Sequence, residues 1–369
     1  MGRHLSIGIV LHDFALGGTE RVAVRLAGVW ARKGASVRIF CGSREGPLYD
    51  LLAPEVDVIV TDPPMPRSTG SLTRVGFDAR DYFAEHPVDV LFVPGNFHWP
   101  VIPPIALTIG PARPAIVAQI SNALRKPQRG WLRQELFNRR MRVLLRRVDA
   151  LVALSDEPRD QANAIMRRNC ALTIPLPALS NTPLPPVPLP AARAIVAAAR
   201  LVPEKGFVDL INAFAAMRDP DATLTIVGSG PMEAELRALV RQHGLDDRVR
   251  LVGYAADVRP WLDQARIFVL SSHFEGYGAV LIEALAAGRP VVTTNCTPAM
   301  TELVTTPAAG RVVPIHDPNA LAAAMRDLLD APPPDPDALA ASVARFRIEP
   351  VADEYLRLFH HVVAQRRAA

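Results

Sequence analysis

The sequence predicts an α/β protein built from two doubly wound parallel sheets, and three observations support this fold class. Short apolar runs rich in valine, isoleucine and alanine alternate with helix-length segments, which is typical of repeated strand-helix-strand units. A proline-rich segment interrupts the pattern near the middle of the chain, and the pattern then restarts. A chain of 369 residues also exceeds one ordinary core, because domains usually contain about 100–200 residues.

The first half of the chain begins with a strand, a helix and a second strand. Residues 5–11 form a short apolar strand, and residues 21–33 carry apolar side chains at helical spacing. Gly34 ends this helix before the strand at 36–40. Further strand candidates lie at 56–60, 88–93, 115–120 and 150–154. Helix-length segments separate them, so we expect parallel strands joined by crossover helices.

Proline marks the predicted domain boundary. The prolines among residues 175–190 lack the N–H donors that a sheet strand needs, and this segment therefore favours an extended, stiff linker. Strand candidates resume at 193–199, 223–227, 249–252, 267–270 and 290–293. We therefore predict an N-terminal domain over 1–180, a linker over 181–192, a C-terminal domain over 193–345 and a C-terminal helix over 346–369.

Positive charge is concentrated in one segment, although the net charge is only +4. Residues 125–147 contain one acid, Glu135, and the following cations: Arg125, Lys126, Arg129, Arg133, Arg139, Arg140, Arg142, Arg146 and Arg147. Interspersed apolar residues such as Trp131 and Leu136 favour an amphipathic helix that contacts an anionic membrane surface. A core-packing helix with a solvated basic face is the alternative. No motif accompanies the charge that would indicate nucleic-acid binding.

Cysteine and aspartate patterns argue against a disulfide framework and a metal site. Cys41, Cys170 and Cys296 are far apart and have no paired spacing, so we expect a reducing, cytoplasmic compartment. The one Asp-x-Asp motif, at 335–337, lies in a proline-rich connector, and we therefore expect no metal and no cofactor. No segment offers the ~18 uncharged apolar residues of a membrane-spanning helix.

Two carboxylates flank the most informative motif. Glu275 and Glu283 lie eight residues apart, across a glycine-rich turn and the beginning of an apolar helix. Wherever the intervening chain is helical, the two acids share one face. A glycine turn that leads into a helix presents backbone N–H groups that favour phosphate. Acids beside a phosphate seat predict a ligand rich in hydroxyl groups.

Two cations follow the strand at 193–199, where the ligand of a doubly wound sheet should lie. Arg200 offers a planar fork for phosphate oxygens, and Lys205 offers a mobile point charge. Solvated surface cations are the alternative interpretation. Residues 228–233 look like half of a dinucleotide fingerprint, but Glu233 stands where a third glycine is needed, so a redox role is not favoured.

Together these motifs resemble the retaining glycosyltransferases of family 4, which have the GT-B fold. The resemblance covers nearly the whole chain. It rests on Gly-Gly-x-Glu at 17–20, Ala-Arg-Leu-x-x-x-Lys-Gly at 199–206, Leu-Thr-Ile-Val-Gly-Ser-Gly-Pro at 224–231, the glutamate motif that begins at 275, and a C-terminal helix. It implies two Rossmann-like domains facing a central cleft, with the last helix packing back on the N-terminal, acceptor-binding domain.

The resemblance also implies roles in binding a nucleotide-sugar donor. Arg200 and Lys205 would neutralise the diphosphate as the glycosidic bond breaks. Glu283 would accept hydrogen bonds from ribose hydroxyls, and Glu275 would hold hydroxyls of the transferred sugar. Residues lining the donor would be Gly276, Tyr277, Gly278, Ala279 and Val280, with Tyr254 near the base. Gly17 and Gly18 would let the backbone approach donor and acceptor closely.

The acceptor half departs from the family pattern. Many relatives place a histidine after the strand matched by 115–120, whereas this chain has Gln119, Ser121 and Asn122 there. His98 is therefore the candidate catalytic histidine, beside Asn96 as a substrate-binding residue. His12, after the first strand, is a second candidate substrate-binding residue.

The sequence thus predicts a retaining, metal-independent glycosyltransferase. It would move a sugar from a nucleotide-diphosphate sugar, with UDP favoured over GDP, to a hydroxyl of a glycan or lipid-linked acceptor. The reaction would be a same-face attack in which the leaving diphosphate assists deprotonation, in the synthesis of cell-surface polysaccharide, lipopolysaccharide or glycolipid. A nucleotide-sugar epimerase and a catalytically silent nucleotide-sugar-binding protein are the alternatives. We expect peripheral contact with the inner face of a membrane through 125–147.

Overall fold

The computed structural model describes residues 4–110, 113–125, 129–182 and 184–368. The chain forms two compact units, each built around one parallel sheet. The first unit contains Met1–Pro177 and Ile348–Ala369, and the second contains Ala178–Arg347. The predicted fold class of two parallel α/β domains is confirmed, and the C-terminal helix belongs to the first unit, as expected.

The first sheet has seven strands, and a prediction from strand patterns finds six of them. The strands are β1 (Ser6–Leu11), β2 (Ser36–Cys41), β3 (Val56–Val60), β4 (Val90–Val93), β5 (Ala115–Ile120), β6 (Ala150–Ala153) and β7 (Ala171–Thr173). The helices are α1 (Gly18–Arg32), α2 (Ser71–Glu85), α3 (Gly95–His98), α4 (Ile102–Ile105), α5 (Trp131–Leu144) and α6 (Asp156–Met166). Strand β7 was not predicted because it lies at the edge of the sheet and all its residues are half-buried, so it lacks a continuous apolar run.

All neighbouring strands of the first sheet are parallel, in the order β3-β2-β1-β4-β5-β6-β7. The order runs outward from β1 in one direction and then from β4 in the other. The carboxyl ends of β1 and β4 therefore meet where the direction reverses, which is where doubly wound sheets bind ligands.

The second sheet repeats this plan with six strands. They are β8 (Ala194–Ala198), β9 (Thr223–Val227), β10 (Val249–Leu251), β11 (Ile267–Leu270), β12 (Val291–Thr294) and β13 (Gly310–Val313). The helices are α7 (Phe207–Met217), α8 (Glu233–Gln242), α9 (Arg259–Asp263), α10 (Ala279–Ala286), α11 (Ala299–Leu303), α12 (Pro318–Asp330) and α13 (Pro336–Ser342). The parallel order is β10-β9-β8-β11-β12-β13, so the reversal falls between β8 and β11. The short edge strand β13 was not predicted.

The last helix, α14 (Ile348–Ala368), packs on α1 through an aromatic cluster. The Trp30 ring of α1 lies 5.4, 5.8 and 5.1 Å, centroid to centroid, from the rings of Phe92, Tyr355 and Phe359, in edge-on geometry. Its indole N–H donates to the Ala352 carbonyl at 3.2 Å. Such edge-on aromatic pairs add about 0.5–1.5 kcal/mol each beyond their buried area, so they hold the C-terminal helix to the first unit.

A buried hydrogen bond adds specificity to this packing. Gln119 at the end of β5 donates from Nε2 to the Tyr355 hydroxyl at 2.8 Å, and both side chains are almost fully buried. Burial raises the pKa of Tyr355, which keeps its hydroxyl neutral. The structure therefore gives Gln119, near the position where relatives have a histidine, a role in docking the C-terminal helix.

The proline-rich segment packs on the second unit. Its prolines lack N–H groups, so its carbonyls need donors from outside the segment. Three arginines supply them: Arg259 Nη1 donates to Leu184 O at 3.1 Å, Arg266 Nη1 to Pro190 O at 3.3 Å, and the fully buried Arg289 to Val187 O. Pro183, within the predicted linker, lies outside the described residues. Arg289, in the Gly-Arg-Pro end of the glutamate motif, thus has a structural role.

Two further features bear on the sequence analysis. The side chain of Asp335 accepts a hydrogen bond from the Asp337 N–H at 3.0 Å, so this Asp-x-Asp motif caps α13. Within the described ranges, none of the helices combines the length and the apolar character needed to span a bilayer.

We expect Tyr355→Phe to lower the free energy of unfolding of the first unit by about 1–3 kcal/mol, because the Gln119 amide loses its buried partner. Urea denaturation followed by tryptophan fluorescence measures the change. His361→Ala, at an exposed position of the same helix, is the control and should change stability by less than about 0.5 kcal/mol. Equal stability of Tyr355→Phe and the wild type would contradict the anchoring role of this hydrogen bond.

Candidate functional site

The carboxyl ends of β8 and β11 lie side by side in the second unit, because these strands pair where the strand order reverses. The loop after β8 spans 199–206, and the loop after β11 spans 271–278. Both loops contain residues that the sequence analysis assigned to a donor. The fold therefore brings two separate sequence motifs to one edge of the sheet.

Lys205 and Glu275 form the central contact between these loops. Lys205 Nζ lies 2.6 Å from Glu275 Oε1, and Ser272 Oγ donates to the same oxygen at 2.8 Å. The two charged side chains are only 16% and 12% exposed, so solvent screens them less than it screens a surface ion pair. An ammonium and a hydroxyl thus orient the Glu275 carboxylate.

Backbone contacts fix the two loops together. Ser271 Oγ donates to Lys205 O at 3.0 Å, and the His273 N–H donates to Glu204 O at 2.8 Å. Gly206 has a φ of 63°, and a Cβ atom at this position would lie 2.1 Å from Ser271 O. A glycine is therefore needed for the loops to approach this closely. This explains the Lys-Gly pair of the first motif.

The two glutamates lie in different local structures. Helix α10 begins at Ala279, so Glu275 belongs to the preceding loop, and Glu283 is half-buried in the middle of the helix. The condition under which the two acids would share one face, a helical chain between them, is therefore not met. The reason is Gly278, whose left-handed φ of 84° turns the chain just before the helix begins.

Five predicted donor residues surround the beginning of α10: Gly276, Tyr277, Gly278, Ala279 and Val280. The Tyr277 side chain is buried and packs edge-on against the Phe346 ring, with 5.7 Å between ring centroids. The Tyr277 ring is therefore part of the core, and a ligand would meet the Tyr277 backbone. The first N–H groups of a helix have no intrahelical partner, so this helix beginning is suited to an anion.

Arg200 and Tyr254 lie outside the ion pair. Arg200 is exposed, and its guanidinium makes no hydrogen bond or ion pair with any residue that the structure describes. Tyr254 follows β10 and is 53% exposed. The structure thus brings Lys205 and Glu275 together and leaves an arginine and an aromatic ring exposed in neighbouring loops of the same unit.

Three residues near Glu275 were not predicted from the sequence. Ser272 binds the carboxylate directly, and Thr294 Oγ1 donates to the Ser272 carbonyl. Cys296 is largely buried, and burial, followed by the charge of Glu275, raises the pKa of its thiol to about 11. The thiol therefore stays protonated at neutral pH. The serine pair before the glutamate motif was the available signal for Ser272, whereas Thr294 and Cys296 carried no pattern.

The corresponding edge of the first unit contains a buried polar network. Asp13, after β1, accepts two hydrogen bonds from Arg67: Nη2 to Oδ1 at 2.6 Å and Nε to Oδ2. Burial alone would raise the pKa of Asp13, but the Arg67 hydrogen bond, the Ala15 N–H and the Arg67 charge bring it below its usual value. Asp13 is therefore ionised, and it holds Arg67 in a fixed orientation.

Both candidate histidines are buried in this network. His12 is 1% exposed, and its Nε2 pairs with Ser71 Oγ at 2.8 Å. His98 is fully buried, its Nδ1–H donates to the Pro94 carbonyl at 2.7 Å, and burial lowers its pKa to about 4. The His98 Nε2 has no hydrogen-bond partner among the described residues. Neither ring reaches solvent in this structure, and the acceptor-site roles predicted for the two histidines stay predictions.

Glu20 is the acid nearest to His98, and the sequence analysis assigned it no role. Its Oε1 lies 4.0 Å from His98 Nε2 and 3.7 Å from Arg67 Nη2. Burial raises the pKa of Glu20. Gly17 makes room for the Glu20 side chain, since a Cβ on Gly17 would lie 2.1 Å from Glu20 Oε2. A Cβ on Gly18 would have no atom within 4 Å among the described residues. The Gly-Gly-x-Glu motif was the signal for this residue.

A cavity of about 680 Å³ adjoins the network within the first unit. Its wall includes Arg67, Asn96, Phe97, Trp99, Phe137, Arg140, Met141 and Leu144. The Arg67 guanidinium stacks over the Phe97 ring at 5.0 Å, and Ser121 N–H donates to Asn96 Oδ1 at 2.8 Å. The cavity is thus mostly apolar, with two arginines in its wall. The hydrogen bond to Asn96 connects that wall to the residue that follows β5.

Helix α5 forms one wall of this cavity and presents an apolar stripe outward. Trp131, Leu132, Leu136 and Val143 are 82%, 57%, 58% and 72% exposed. Arg133, Arg139, Arg140 and Arg146 are exposed beside them, while Met141 on the opposite side is buried. Lys126 of the predicted basic segment lies outside the described residues. An exposed apolar stripe flanked by cations is unusual for a helix that only packs on a core.

Comparison with known families matches both halves of the chain. Residues 17–177 match the glycosyl transferase 4-like domain, and residues 192–331 match the glycosyl transferases group 1. An uncharacterized glycosyltransferase of Haemophilus influenzae is 27% identical over 311 residues, which cover 80% of this chain and 82% of that protein.

Two further similarities concern one half of the chain and its fold. The lipopolysaccharide core biosynthesis glycosyltransferase LpsD of Rhizobium meliloti is 33% identical over 181 residues, or 47% of this chain and 51% of that protein. The structure of Anabaena Alr3699/HepE in complex with UDP and glucose is similar with a TM-score of 0.74 and 19% identity, covering 97% of this chain and 100% of that chain. With two parallel-sheet units and a family match in each, the chain belongs to the group 1 glycosyltransferases of family 4 and has the GT-B fold.

Proposed function

We propose that this glycosyltransferase binds a nucleotide-diphosphate sugar at the β8 and β11 edge of its second unit and transfers the sugar with retention of configuration. The observation that carries the proposal is the Lys205–Glu275 contact of 2.6 Å between the two loops at the strand reversal. A phosphate-binding cation and a hydroxyl-binding carboxylate are both required next to a sugar diphosphate, and here they are already held together.

In this proposal, Lys205 and Arg200 share the diphosphate. Arg200 is exposed and has no partner among the described residues, so its fork is available for two phosphate oxygens. Lys205 would turn its ammonium away from Glu275 and toward the diphosphate oxygen that leaves the sugar. Negative charge grows on this oxygen as the glycosidic bond breaks. The N–H groups at the beginning of α10 would add hydrogen bonds to the same anion. These donors would replace a metal ion, which is why we propose metal-independent transfer.

The two glutamates would hold the hydroxyl groups of the donor. Lys205 and Ser272 both contact Oε1 of Glu275, so Oε2 would accept from the transferred sugar while Ser272 keeps the carboxylate oriented. Glu283, the fifth residue of α10, would accept from the ribose hydroxyls, and exposed Tyr254 would contact the base. UDP is the proposed nucleotide, since the similar Anabaena Alr3699/HepE is crystallised with UDP and glucose.

The cavity of the first unit is the proposed acceptor site. Its volume of about 680 Å³ lies within the ~300–1,000 Å³ range of small-molecule sites, and Asn96, Arg67 and Arg140 give it polar groups for a glycan or for the phosphate of a lipid-linked glycan. An epimerase would need no such site. Buried His98 would position the Asn96–Phe97 segment instead of touching the acceptor, and the leaving diphosphate would take the acceptor proton.

A lipopolysaccharide or cell-surface polysaccharide is the proposed product, because LpsD is named for lipopolysaccharide core synthesis. Contact with an anionic membrane surface fits such an acceptor. The outward stripe of α5 has the apolar residues and flanking arginines that an interfacial helix needs, and each surface cation contributes about 1 kcal/mol with anionic lipid.

Titration calorimetry with UDP, GDP and ADP tests the donor site. We expect UDP to bind most tightly, and we expect Arg200→Ala and Lys205→Met each to weaken binding about 10- to 100-fold, because a hydrogen bond to a charged group contributes about 1.5–3 kcal/mol. Arg241→Ala, which removes an exposed cation on α8, is the matched control and should bind like the wild type. Failure of all three nucleotides to bind, or unchanged binding by Arg200→Ala, would contradict the proposal.

Vesicle sedimentation tests the membrane contact. The wild type should bind phosphatidylglycerol vesicles and not phosphatidylcholine vesicles. Leu132→Ser with Leu136→Ser should weaken this binding at least about tenfold, since each buried leucine contributes about 1.5–3 kcal/mol. Phe77→Ser, at a 41% exposed position on α2, serves as the control for loss of an exposed apolar group. Vesicle binding that survives the double substitution on α5 would rule out this helix as the contact.

A further inference from the structure

Three potential metal ligands from three separate elements meet in the second unit. Asp209 lies in the first turn of α7, His273 lies in the loop after β11, and His316 lies between β13 and α12. One ligand atom from each lies within 4.8 Å of the others. No metal was expected from the sequence, because the Asp-x-Asp motif at 335–337 lies in a proline-rich connector, and these three residues form no such motif.

The distances are close to those of a coordination shell. His273 Nε2 lies 2.8 Å from Asp209 Oδ2, and His316 Nδ1 lies 3.7 Å from the same oxygen. The two imidazole rings are 3.9 Å apart, centroid to centroid. Ligand atoms that each lie about 2.0–2.2 Å from a zinc ion are separated by roughly 3–3.5 Å, so small side-chain rotations would complete the shell.

The backbone at His316 supports a role for its side chain. His316 has a φ of 58°, a left-handed conformation that few residues other than glycine adopt. The next residue, Asp317, caps α12 by accepting from the Ala320 N–H at 2.9 Å, which fixes the turn. An imidazole is thus kept at a strained position that glycine would occupy more easily, and strain of this kind points toward function.

We propose that Asp209, His273 and His316 bind a divalent transition-metal cation of the zinc class. Two imidazoles and one carboxylate are typical ligands of Zn²⁺ and suit neither Mg²⁺ nor Ca²⁺, which prefer all-oxygen shells. His316 is 62% exposed on its side chain, so water has access and would complete the coordination. The site goes beyond the proposed transferase activity, in which Arg200 and Lys205 neutralise the diphosphate.

The cation would fasten the loop that carries Glu275. His273 lies two residues before Glu275, and Gly206 approaches it closely: a Cβ on Gly206 would lie 3.1 Å from His273 Nε2. Binding at His273 would therefore connect this loop to α7 and to the turn before α12. The bound cation would link the loop after β11, α7 and the turn before α12, so its occupancy would regulate the mobility of this loop.

Zinc titration of tag-free protein in competition with a chromophoric chelator tests the site. The wild type should bind one Zn²⁺ per chain with an increase in Tm, and millimolar Mg²⁺ should not compete. His273→Ala and His316→Gly should each weaken zinc binding at least about 100-fold. His361→Ala removes an exposed histidine on α14 of the other unit and should bind zinc like the wild type.

His316→Gly separates loss of a ligand from misfolding. Glycine tolerates the left-handed φ, so this variant should keep or raise the Tm of the metal-free protein while losing zinc binding. Absence of a bound zinc in the wild type, or equal zinc affinity in His316→Gly, overturns the proposal. The readout is metal binding, so it is independent of whether nucleotide sugars bind or transfer occurs.

Discussion

The pairing of Lys205 with Glu275 is the interaction on which the proposed donor site depends. It joins the loops of two strands that are neighbours in the sheet and about 70 residues apart in the chain, at the one place in this unit where the strand order reverses. Gly206 allows the loops to touch, and Ser272 completes the shell of the carboxylate. Without a ligand each charge satisfies the other, which lowers the cost of keeping both half-buried.

The first unit meets the same constraint with different chemistry. Where its strand order reverses, burial is the largest influence on the pKa values of the polar side chains. Burial keeps His98 neutral and raises the pKa of Glu20, whereas Arg67 keeps Asp13 ionised. This network borders a largely apolar cavity whose wall includes Arg67 and Arg140. This difference agrees with the proposal that the second unit binds the charged donor and the first unit binds the acceptor.

The fold and the two loops of the proposed donor site could be predicted because both rest on local patterns. Apolar runs indicate the strands, and glycine, lysine and glutamate at fixed spacing indicate the two loops. What the sequence could not give depends on contacts between distant residues. Gln119 proved to hold Tyr355, Arg289 proved to bind the proline-rich segment, and His98 proved to be buried, because burial and partners arise only when the strands assemble. Strands β7 and β13 lie at sheet edges and contain half-buried residues, so they lack the continuous apolar runs of the buried strands.

The central claim is that Glu275 holds the transferred sugar and is not needed to bind the nucleotide. The most direct measurement compares Glu275→Gln with the wild type in two assays, UDP binding by calorimetry and transfer of labelled sugar from UDP-sugars. Glutamine keeps the shape and a hydrogen-bonding oxygen but removes the charge. The account predicts UDP affinity within about threefold of the wild type and transfer reduced at least about 100-fold, equivalent to about 2.7 kcal/mol of transition-state stabilisation. Unchanged transfer by Glu275→Gln would contradict the account.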